Sequence, residues 1–392
     1  MNPTSAKPSD TGSSSSPASR SGIAISATFD SGNIEVVDAS QADNIRLRIG
    51  DDAGGEHRQW FHFRLHGVRG VPLTLQIENA ASCSYPGGWP DYRACVSADH
   101  VHWRRVADTT FDGTRLTIRL TPDTDTVWMA YFEPYAWERH QALVGRCAMS
   151  PLARVDRLGA SLDGRDIDRV VVGNGPLPIW VIARQHPGES MAEWLAEGLL
   201  DTLLGDSAAA CTVRQLATVH VVPNMNPDGS VRGHLRCNAA GINLNREWAA
   251  PSLQRSPEVL CVQRAMRASG VGFFLDVHGD ETIPHVFIDG ASMVPGYSAP
   301  NIRREKQFCD TLERLGPRFQ QTHGYHPERF GEEMLSLASK WVAHHFGCVS
   351  LTLEMPFKDH NDDPQPETGW NGARSQALGA DVVAALAVWL QA

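Results

Sequence analysis

The sequence lacks the features of membrane-spanning and secreted proteins. None of its 392 residues belongs to an apolar run long enough to cross a bilayer, and no basic segment leads into an apolar core near the first residue. The eight cysteines are scattered, without a C-x-x-C pair or the dense spacing of a secreted disulfide framework. We therefore expect reduced thiols and a cytoplasmic protein that does not bind membranes.

Basic charge is also scarce. The 35 Lys and Arg residues are outnumbered by 45 Asp and Glu residues, which gives a net charge of -10. An acidic surface repels nucleic acids and anionic lipids, so we expect neither as a partner. P-loop, H-E-x-x-H and G-x-S-x-G motifs are absent as well. Peptides, proteins or small molecules remain as partners, and the oligomeric state is not indicated.

The chain divides into three parts by residue composition and hydrophobic pattern. Residues 1–22 are almost purely Ser, Pro, Gly, Thr and charged residues, which predicts a disordered tail. Residues 23–146 contain short alternating segments separated by turn residues, which predicts an antiparallel β-sandwich. In residues 147–392, apolar runs alternate with helical patterns. The overall prediction is an α/β protein whose second domain has a mixed, mostly parallel sheet with helices on both faces.

Candidate metal ligands follow two of the predicted strands. His186 and Glu189 come after an apolar run, in a Pro-Gly turn, and His278 ends the apolar segment GFFLDVHG. Because ligands of such folds bind beyond the carboxyl ends of the strands, these three side chains can converge. Imidazole and carboxylate suit zinc, whose catalytic sites commonly use three protein ligands. The alternative for the H-x-x-E pair alone is a capped turn with solvated polar side chains.

A third apolar strand, CVSLTLEMPF, delivers a carboxylate to the same edge of the sheet, that of Glu354. Burial at such a position raises the pKa of a carboxyl group toward the range useful for a general base. Glu354 is therefore the candidate for activating water. The alternative is an edge-strand glutamate that points to solvent.

A turn-rich segment between these strands carries candidate anion-binding residues. It contains Arg236 in HLRCN, followed by Asn245 and Arg246 in INLNREW. A guanidinium fork binds a carboxylate bidentately and an amide adds a donor, so this pair suits recognition of a C-terminal carboxylate. Solvated surface charge is the alternative.

Taken together, these motifs resemble a known family. HPGE, NPDG, GINLNREW, DVHG and LTLEMPF occur in the order found in the M14 zinc metallocarboxypeptidases, most closely in their cytosolic carboxypeptidase branch. The resemblance extends over about residues 23–390. It includes WFHFRL, SCSYPGGWPDY and MAYFEPYAWERH, which look like the β-sandwich domain that distinguishes this branch.

The resemblance implies hydrolysis of C-terminal peptide bonds with one Zn²⁺ per chain and a peptide or protein C-terminus as substrate. The implied zinc ligands are His186, Glu189 and His278. The implied catalytic residues are Glu354, as general base, and Arg236, as the group that stabilises the oxyanion. The implied carboxylate-binding residues are Asn245 and Arg246.

Substrate selection is less defined. In the family, the residue that sets side-chain preference lies some fifteen positions before the catalytic glutamate, and Lys340 lies fourteen before Glu354. A cation there predicts a preference for a terminal Glu or Asp, whereas a solvated Lys340 on an amphipathic helix is the alternative. The tyrosine that closes over the substrate in digestive members has two candidates, Tyr297 and Tyr325.

Two other functions compete with a carboxypeptidase. An amidohydrolase of the aspartoacylase or succinylglutamate desuccinylase type shares the H-x-x-E and distant-His pattern on a related fold. A peptide-binding protein that has kept the fold and lost activity is the other. The β-sandwich and the LTLEMPF strand favour the carboxypeptidase over the amidohydrolase, and suitable residues at every ligand and base position favour an active enzyme.

Overall fold

The computed structural model describes residues 22–326 and 329–392. The predicted disordered tail, apart from Gly22, therefore lies outside the described residues. Within the described part of the chain, no helix combines the length and the apolar character needed to cross a membrane.

Ten short strands at the start of the chain form two five-stranded sheets. In spatial order, the first sheet contains β1 (Ala24–Ser26), β4 (His62–His66), β10 (Thr126–Ala130), β6 (Cys95–Ser97) and β7 (Trp103–Arg105). The second contains β2 (Glu35–Asp38), β3 (Ile45–Arg48), β5 (Leu73–Ile77), β9 (Leu116–Leu120) and β8 (Thr109–Phe111). All neighbours pair antiparallel except β3 with β5. The predicted β-sandwich is thus confirmed, with one parallel pair added.

Period-two alternation explains how the two sheets pack. Along β5, the side chains of Leu73, Leu75 and Ile77 are buried while Thr74 and Gln76 between them are half-exposed. Successive side chains of a strand point to opposite faces, so one apolar face turns inward on each sheet. The inward residues of both sheets belong to one hydrophobic core.

The rest of the chain is built on a seven-stranded mixed sheet. Its spatial order is β11 (Ala153–Ala160), β12 (Asp166–Val172), β14 (Ala217–Val222), β13 (Leu177–Ala183), β15 (Phe273–Asp280), β17 (Val349–Pro356) and β16 (Phe287–Asp289). The four neighbours β14, β13, β15 and β17 run parallel, and the other pairings are antiparallel. The carboxyl ends of β13, β15 and β17 therefore lie side by side.

Helices cover both faces of this sheet. The helices are α1 (Trp137–Met149), α2 (Ser190–Leu203), α3 (Ala208–Leu216), α4 (Pro227–Arg232), α5 (Pro257–Ser269), α6 (Ala299–Leu315), α7 (Ala338–Phe346) and α8 (Gly372–Leu390). Ile179 and Val181 of β13 share a core with α2, α6 and α8. The alternate residues Trp180 and Ile182 pack with α5 and α7. Because the strand is apolar on both faces, it requires a helical layer on each.

One buried arginine fixes the β-sandwich to the rest of the molecule. Arg105, the last residue of β7, is 6% exposed. Its guanidinium donates hydrogen bonds to the carbonyl oxygens of Phe357 (2.7 Å), Trp370 (3.1 Å) and Thr368 (3.3 Å) in the C-terminal part, and to that of Arg93 (2.8 Å). All of these acceptors are main-chain groups, so the contact depends on the fold of the partner segment rather than on its side chains.

Candidate active site

A cavity of about 340 Å³ opens at the carboxyl ends of β13, β15 and β17. The candidate zinc ligands, the candidate base and the candidate anion-binding and specificity residues all line it. These residues are His186, Glu189, Arg236, Asn245, Arg246, His278, Lys340 and Glu354. The convergence follows from the sheet order, because three strands that are remote in sequence end at neighbouring positions.

The turn between β13 and α2 brings two of the candidate ligands to this edge. Arg184 adopts a left-handed backbone conformation with φ of 59°, which is uncommon for a residue with a side chain. Its buried guanidinium donates to the carbonyl oxygens of Pro187 (3.0 Å) and Tyr135 (2.8 Å) and pairs with Glu193 at 2.7 Å. These contacts bend the chain sharply after β13 and fix the turn that holds His186.

Three buried side chains with potential ligand atoms face one another in the cavity. Nδ1 of His186 lies 2.7 Å from Oε1 of Glu189, and Nδ1 of His278 lies 2.8 Å from Oε2 of Glu189. The two Nδ1 atoms are 3.2 Å apart. None of the three residues is more than 3% exposed. Two imidazoles and one carboxylate at these separations match the donor set of a catalytic zinc site.

The outer nitrogen of each imidazole is held by an oxygen. Nε2 of His186 lies 3.0 Å from Oδ1 of Asn243, and Nε2 of His278 lies 2.9 Å from Oδ2 of Asp276. These oxygens accept the Nε2–H of each ring, so Nδ1 is the ring nitrogen that faces the cavity. Outer acceptors of this kind orient the histidines of metal sites.

The charges of the site also favour a cation. Burial, assisted by the Arg236 cation, lowers the pKa of His186 to about 3, so this imidazole is neutral and free to act as a ligand. Burial alone would lower the pKa of His278 too, but the carboxylates of Asp276 and Glu189 raise it well above its usual value. The carboxylates thus favour a positive charge at this position, which a bound metal ion would supply.

A second group of potential ligands, formed by His285, His360 and Asp362, fits a metal less well. The Nε2 atom of His360 faces the backbone N–H of Val286, and its Nδ1 atom faces that of Asp362, both at 3.2 Å. A backbone N–H group therefore points at both ring nitrogens of His360, one of which would have to bind the ion. The group formed by His186, Glu189 and His278 is the better candidate metal site.

Glu354 lines the same cavity as His186, Glu189 and His278 and has one carboxylate oxygen available. It pairs with His278 across the parallel strands β15 and β17 and is 7% exposed. Its Oε1 accepts a hydrogen bond from the hydroxyl of Tyr325 at 3.2 Å, and its buried Oε2 has no partner among the described residues. Burial raises the pKa of Glu354 well above its usual value, and the nearby carboxylate of Glu189 contributes. A basic carboxylate with a free oxygen is suited to take a proton from water.

Two arginines and an asparagine that line the cavity, Arg236, Arg246 and Asn245, form a candidate anion site. Asn245 and Arg246 lie in a 3₁₀ turn whose preceding residue, Asn243, accepts the Asn245 backbone N–H at 3.0 Å. The side-chain oxygen of Asn245 accepts the backbone N–H of Ala338 at 2.8 Å, which fixes the amide. Partial burial and the Arg236 cation lower the pKa of Arg246, as expected where two cations share a cleft that suits an anion.

The structure separates the two tyrosine candidates. The hydroxyl of Tyr325 donates within the cavity, where it lies 2.9 Å from Asp280 and 3.2 Å from Glu354. The hydroxyl of Tyr297 instead donates to Glu305 at 2.7 Å, and Tyr297 does not line the cavity. Nothing in the sequence around either tyrosine distinguishes them, because the partner that each hydroxyl reaches depends on how its loop packs in the folded protein.

Lys340 lines the cavity and is 2% exposed, so it is not the solvated lysine of the alternative interpretation. Its ammonium donates to Oδ2 of Asp289 at 2.7 Å and to the carbonyl oxygen of Gly290. Asp289, whose side chain is 29% exposed, lines the same cavity although no sequence motif marks it. Tyr85 of the β-sandwich also lines the cavity wall and is likewise outside the motifs that identified the other residues.

Comparisons with known proteins agree with this geometry. Residues 25–132 match the family model described as the cytosolic carboxypeptidase N-terminal domain, and residues 146–292 match the one described as zinc carboxypeptidase. The crystal structure of a metallo-carboxypeptidase from Burkholderia cenocepacia is 48% identical, with a TM-score of 0.92 over 94% of this chain and 99% of that one. A metallo-carboxypeptidase from Pseudomonas aeruginosa, solved in complex with (2-guanidinoethylmercapto)succinic acid, is 45% identical, with a TM-score of 0.91 over 94% and 99%.

Eukaryotic relatives share only part of their length with this chain. Human cytosolic carboxypeptidase 2 is 26% identical over 67% of this chain but only 33% of its own length. The chain thus spans about a third of that relative.

Proposed function

Because the chain belongs to the M14 zinc carboxypeptidase family and carries the N-terminal domain of its cytosolic branch, we propose that this metallocarboxypeptidase binds one zinc ion through His186, Glu189 and His278. The observation that supports this proposal is the convergence of three buried side chains whose facing atoms lie 2.7–3.2 Å apart. Beside them is a buried carboxylate with one oxygen that has no partner among the described residues. The carboxypeptidase prediction is confirmed at the level of the family, so the amidohydrolase and the inactive binding protein are set aside.

The chain's own residues supply the proton transfers. When bound, zinc would act as a Lewis acid toward the scissile carbonyl and lower the pKa of water. Glu354 takes a proton from the attacking water through its unpartnered oxygen and returns it to the leaving amine. Burial raises its pKa, which makes the Glu354 carboxylate a stronger base toward the attacking water. Arg236 opposes the negative charge that develops on the carbonyl oxygen.

Recognition of the substrate terminus falls to the anion site. Asn245 and Arg246 bind the free C-terminal carboxylate, Arg246 through its planar fork and Asn245 through an amide that Ala338 holds in place. Tyr325 closes the remaining side of the cavity, where its hydroxyl can exchange a carboxylate partner for the substrate. A peptide whose C-terminus is an amide lacks the anion that this site binds.

The test compares matched peptides. The zinc-loaded protein is incubated with a free-acid peptide, its C-terminal amide and an N-acyl amino acid, and products are identified by mass spectrometry. We expect loss of one residue from the free acid alone, and we expect Arg246→Ala to weaken kcat/KM by about 10–100-fold because a charge-assisted contact is lost. Cleavage of only the N-acyl amino acid would replace the proposal with an amidohydrolase.

For the terminal side chain, we propose that Lys340 selects an acidic residue. An ammonium group has three N–H donors, and Asp289 and Gly290 use two of them, so the third remains for a substrate carboxylate. Asp289 orients the ammonium, but it also neutralises much of its charge. An acidic side chain therefore has to share the ammonium with Asp289.

A basic terminal residue is the second candidate, and two observations favour it. Asp289 is the more exposed partner of the ion pair, with a side chain 29% exposed against 2% for Lys340. The Pseudomonas aeruginosa relative was solved with a ligand that carries a guanidine group and a succinic acid. A basic side chain in this cavity would meet the Asp289 carboxylate.

Peptides that differ only in a terminal Glu, Lys or Leu separate the two preferences, with Lys340→Met and Asp289→Asn as matched variants. An acidic preference predicts that Glu is cleaved best and that Lys340→Met removes this advantage by about 10–100-fold. A basic preference predicts that Lys is cleaved best and that Asp289→Asn removes that advantage. Terminal Leu controls for damage to the pocket, and equal rates for all three would exclude both proposals.

A further inference from the structure

A loop of the β-sandwich is bound to the segment that carries Arg236. Asp52, in the loop of residues 50–57, is 1% exposed although it is a carboxylate. Its two oxygens accept three consecutive backbone N–H groups, those of Leu235 (2.6 Å), Arg236 (2.8 Å) and Cys237 (2.8 Å). A carboxylate satisfied by successive main-chain donors is a strong, directional contact.

The same two loops meet at a second place. The Nε2 atom of His234 accepts the backbone N–H of Ala53 at 3.0 Å, and its Nδ1–H donates to the carbonyl oxygen of Cys237 at 2.9 Å. Further along, Gly241 has a positive φ of 74°, and a Cβ at this position would collide with the carbonyl oxygen of Gly54. The loops therefore pack backbone against backbone, with no space for an intervening side chain.

The β-sandwich also reaches the side chain of Arg236. The guanidinium carbon of Arg236 lies 5.3 Å from the centre of the Tyr85 ring, within the range of a cation–π contact. Gln59 fixes Tyr85, because its side-chain oxygen accepts the Tyr85 backbone N–H at 2.8 Å. Tyr85 lines the cavity together with Arg236. Asp52 thus holds the backbone of Arg236, and Tyr85 contacts its guanidinium.

We infer that the β-sandwich is part of the catalytic apparatus, because Asp52 and Tyr85 hold Arg236 where it meets the developing oxyanion. The inference rests on the proposed function, in which Arg236 opposes that charge. Asp52 does not touch the substrate cavity and is a positioning residue that acts through Arg236. A donor stabilises a transition state only if it is oriented before the reaction, so an unheld Arg236 would lose much of its effect.

The test is a cycle of variants on the full zinc-loaded chain: Asp52→Ala, Arg236→Ala and the double variant. We expect Arg236→Ala to lower kcat by about 100–1,000-fold, as for the loss of one oxyanion donor. Asp52→Ala should lower kcat by about 10–100-fold with KM within about twofold of the parent, because the lost interaction belongs to the transition state. Adding Asp52→Ala to Arg236→Ala should change kcat less than about twofold.

Controls separate positioning from loss of structure. Arg93→Ala removes a contact from the β-sandwich to the carbonyl oxygen of Pro366, away from the cavity, and should leave kcat unchanged. Tyr85→Phe keeps the ring face and should retain most activity, whereas Tyr85→Leu should lower kcat. Zinc content and thermal midpoint are measured for each variant. If Asp52→Ala does not fold, Asp52→Asn carries the same test, because its amide keeps the shape but loses an acceptor.

Each outcome has a distinct meaning. A parental kcat for Asp52→Ala, with Arg236→Ala impaired, overturns the inference and leaves the proposed function intact. An equal loss from Asp52→Ala with or without Arg236 also overturns it, because Asp52 would then act on folding or on another group. A parental kcat for Arg236→Ala removes the proposed role of Arg236 and the inference with it.

Discussion

The free energy of unfolding should fall as the pH rises from 6 to 9.5, because of one buried histidine. His140, on α1, is 1% exposed and lies between two carboxylates, with Nδ1 2.6 Å from Glu193 and Nε2 3.3 Å from Asp168. Burial alone would lower the pKa of His140, but Glu193 and Asp168 raise it from 6.5 to about 9. The folded protein therefore holds a proton that the unfolded chain releases near pH 6.5.

The sign and size of the effect follow from this difference. Because the folded-state pKa is the higher one, the stabilisation is fully present below pH 6.5 and is lost as the pH rises through about 9. A rise from 6.5 to about 9 corresponds to about 3 kcal/mol at most. Glu193 also pairs with Arg184, which donates to the carbonyl oxygen of Pro187, so the network extends to the turn that carries two of the proposed zinc ligands.

Urea unfolding between pH 6 and 9.5, at saturating zinc, measures this contribution. The parent should lose about 3 kcal/mol over this interval relative to His140→Gln, which cannot carry the proton. His344→Gln, at an exposed position near the end of α7, controls for the loss of an imidazole elsewhere. If His140→Gln shows the same dependence on pH as the parent, the assignment of a protonated His140 is wrong.

Three further predictions concern catalysis, metal and packing. Glu354→Gln should lower kcat by about 10²–10⁴-fold in a peptide assay while zinc content stays near one per chain, because only the base is lost; loss of zinc as well would contradict the separate roles. Removing the metal with a chelator should abolish activity and lower the thermal midpoint, and added Zn²⁺ should restore both, since a ligand of the native state stabilises it. Gly379→Ala should cost about 1–3 kcal/mol in urea unfolding because its Cβ would collide with the carbonyl oxygen of Leu195 on α2. Gly145→Ala, at an open position on α1, should stabilise slightly, and equal effects of the two changes would refute the packing argument.

Much of the site could be predicted because strand ends carry its chemistry. His186, His278 and Glu354 each follow an apolar run, and parallel strands place such ends at one edge of the sheet. The same patterns predicted the β-sandwich and the two helical layers. These patterns could not show some of the shortest strands. β1, β7 and β8 have three residues each, which is too few for an alternation to be recognised.

The residues missed at the site have partners that are distant in sequence. Asp52 bonds to a loop more than 180 positions later, and nothing in RIGDDAGGE distinguishes it from a solvated turn aspartate. The sequence does not indicate a role for Asp289, because its ion pair with Lys340 forms only in the folded protein. Local pattern identifies an element and its end, but the pairing of a charge across the fold depends on tertiary packing.

The Arg105 contact has a consequence for chain cleavage. Its guanidinium donates hydrogen bonds to three main-chain carbonyl oxygens of the C-terminal part. We therefore expect the two fragments to stay bound to each other when the chain is cleaved near Pro134. The nicked protein should travel as one particle in gel filtration, and two separately expressed halves should reassemble on mixing.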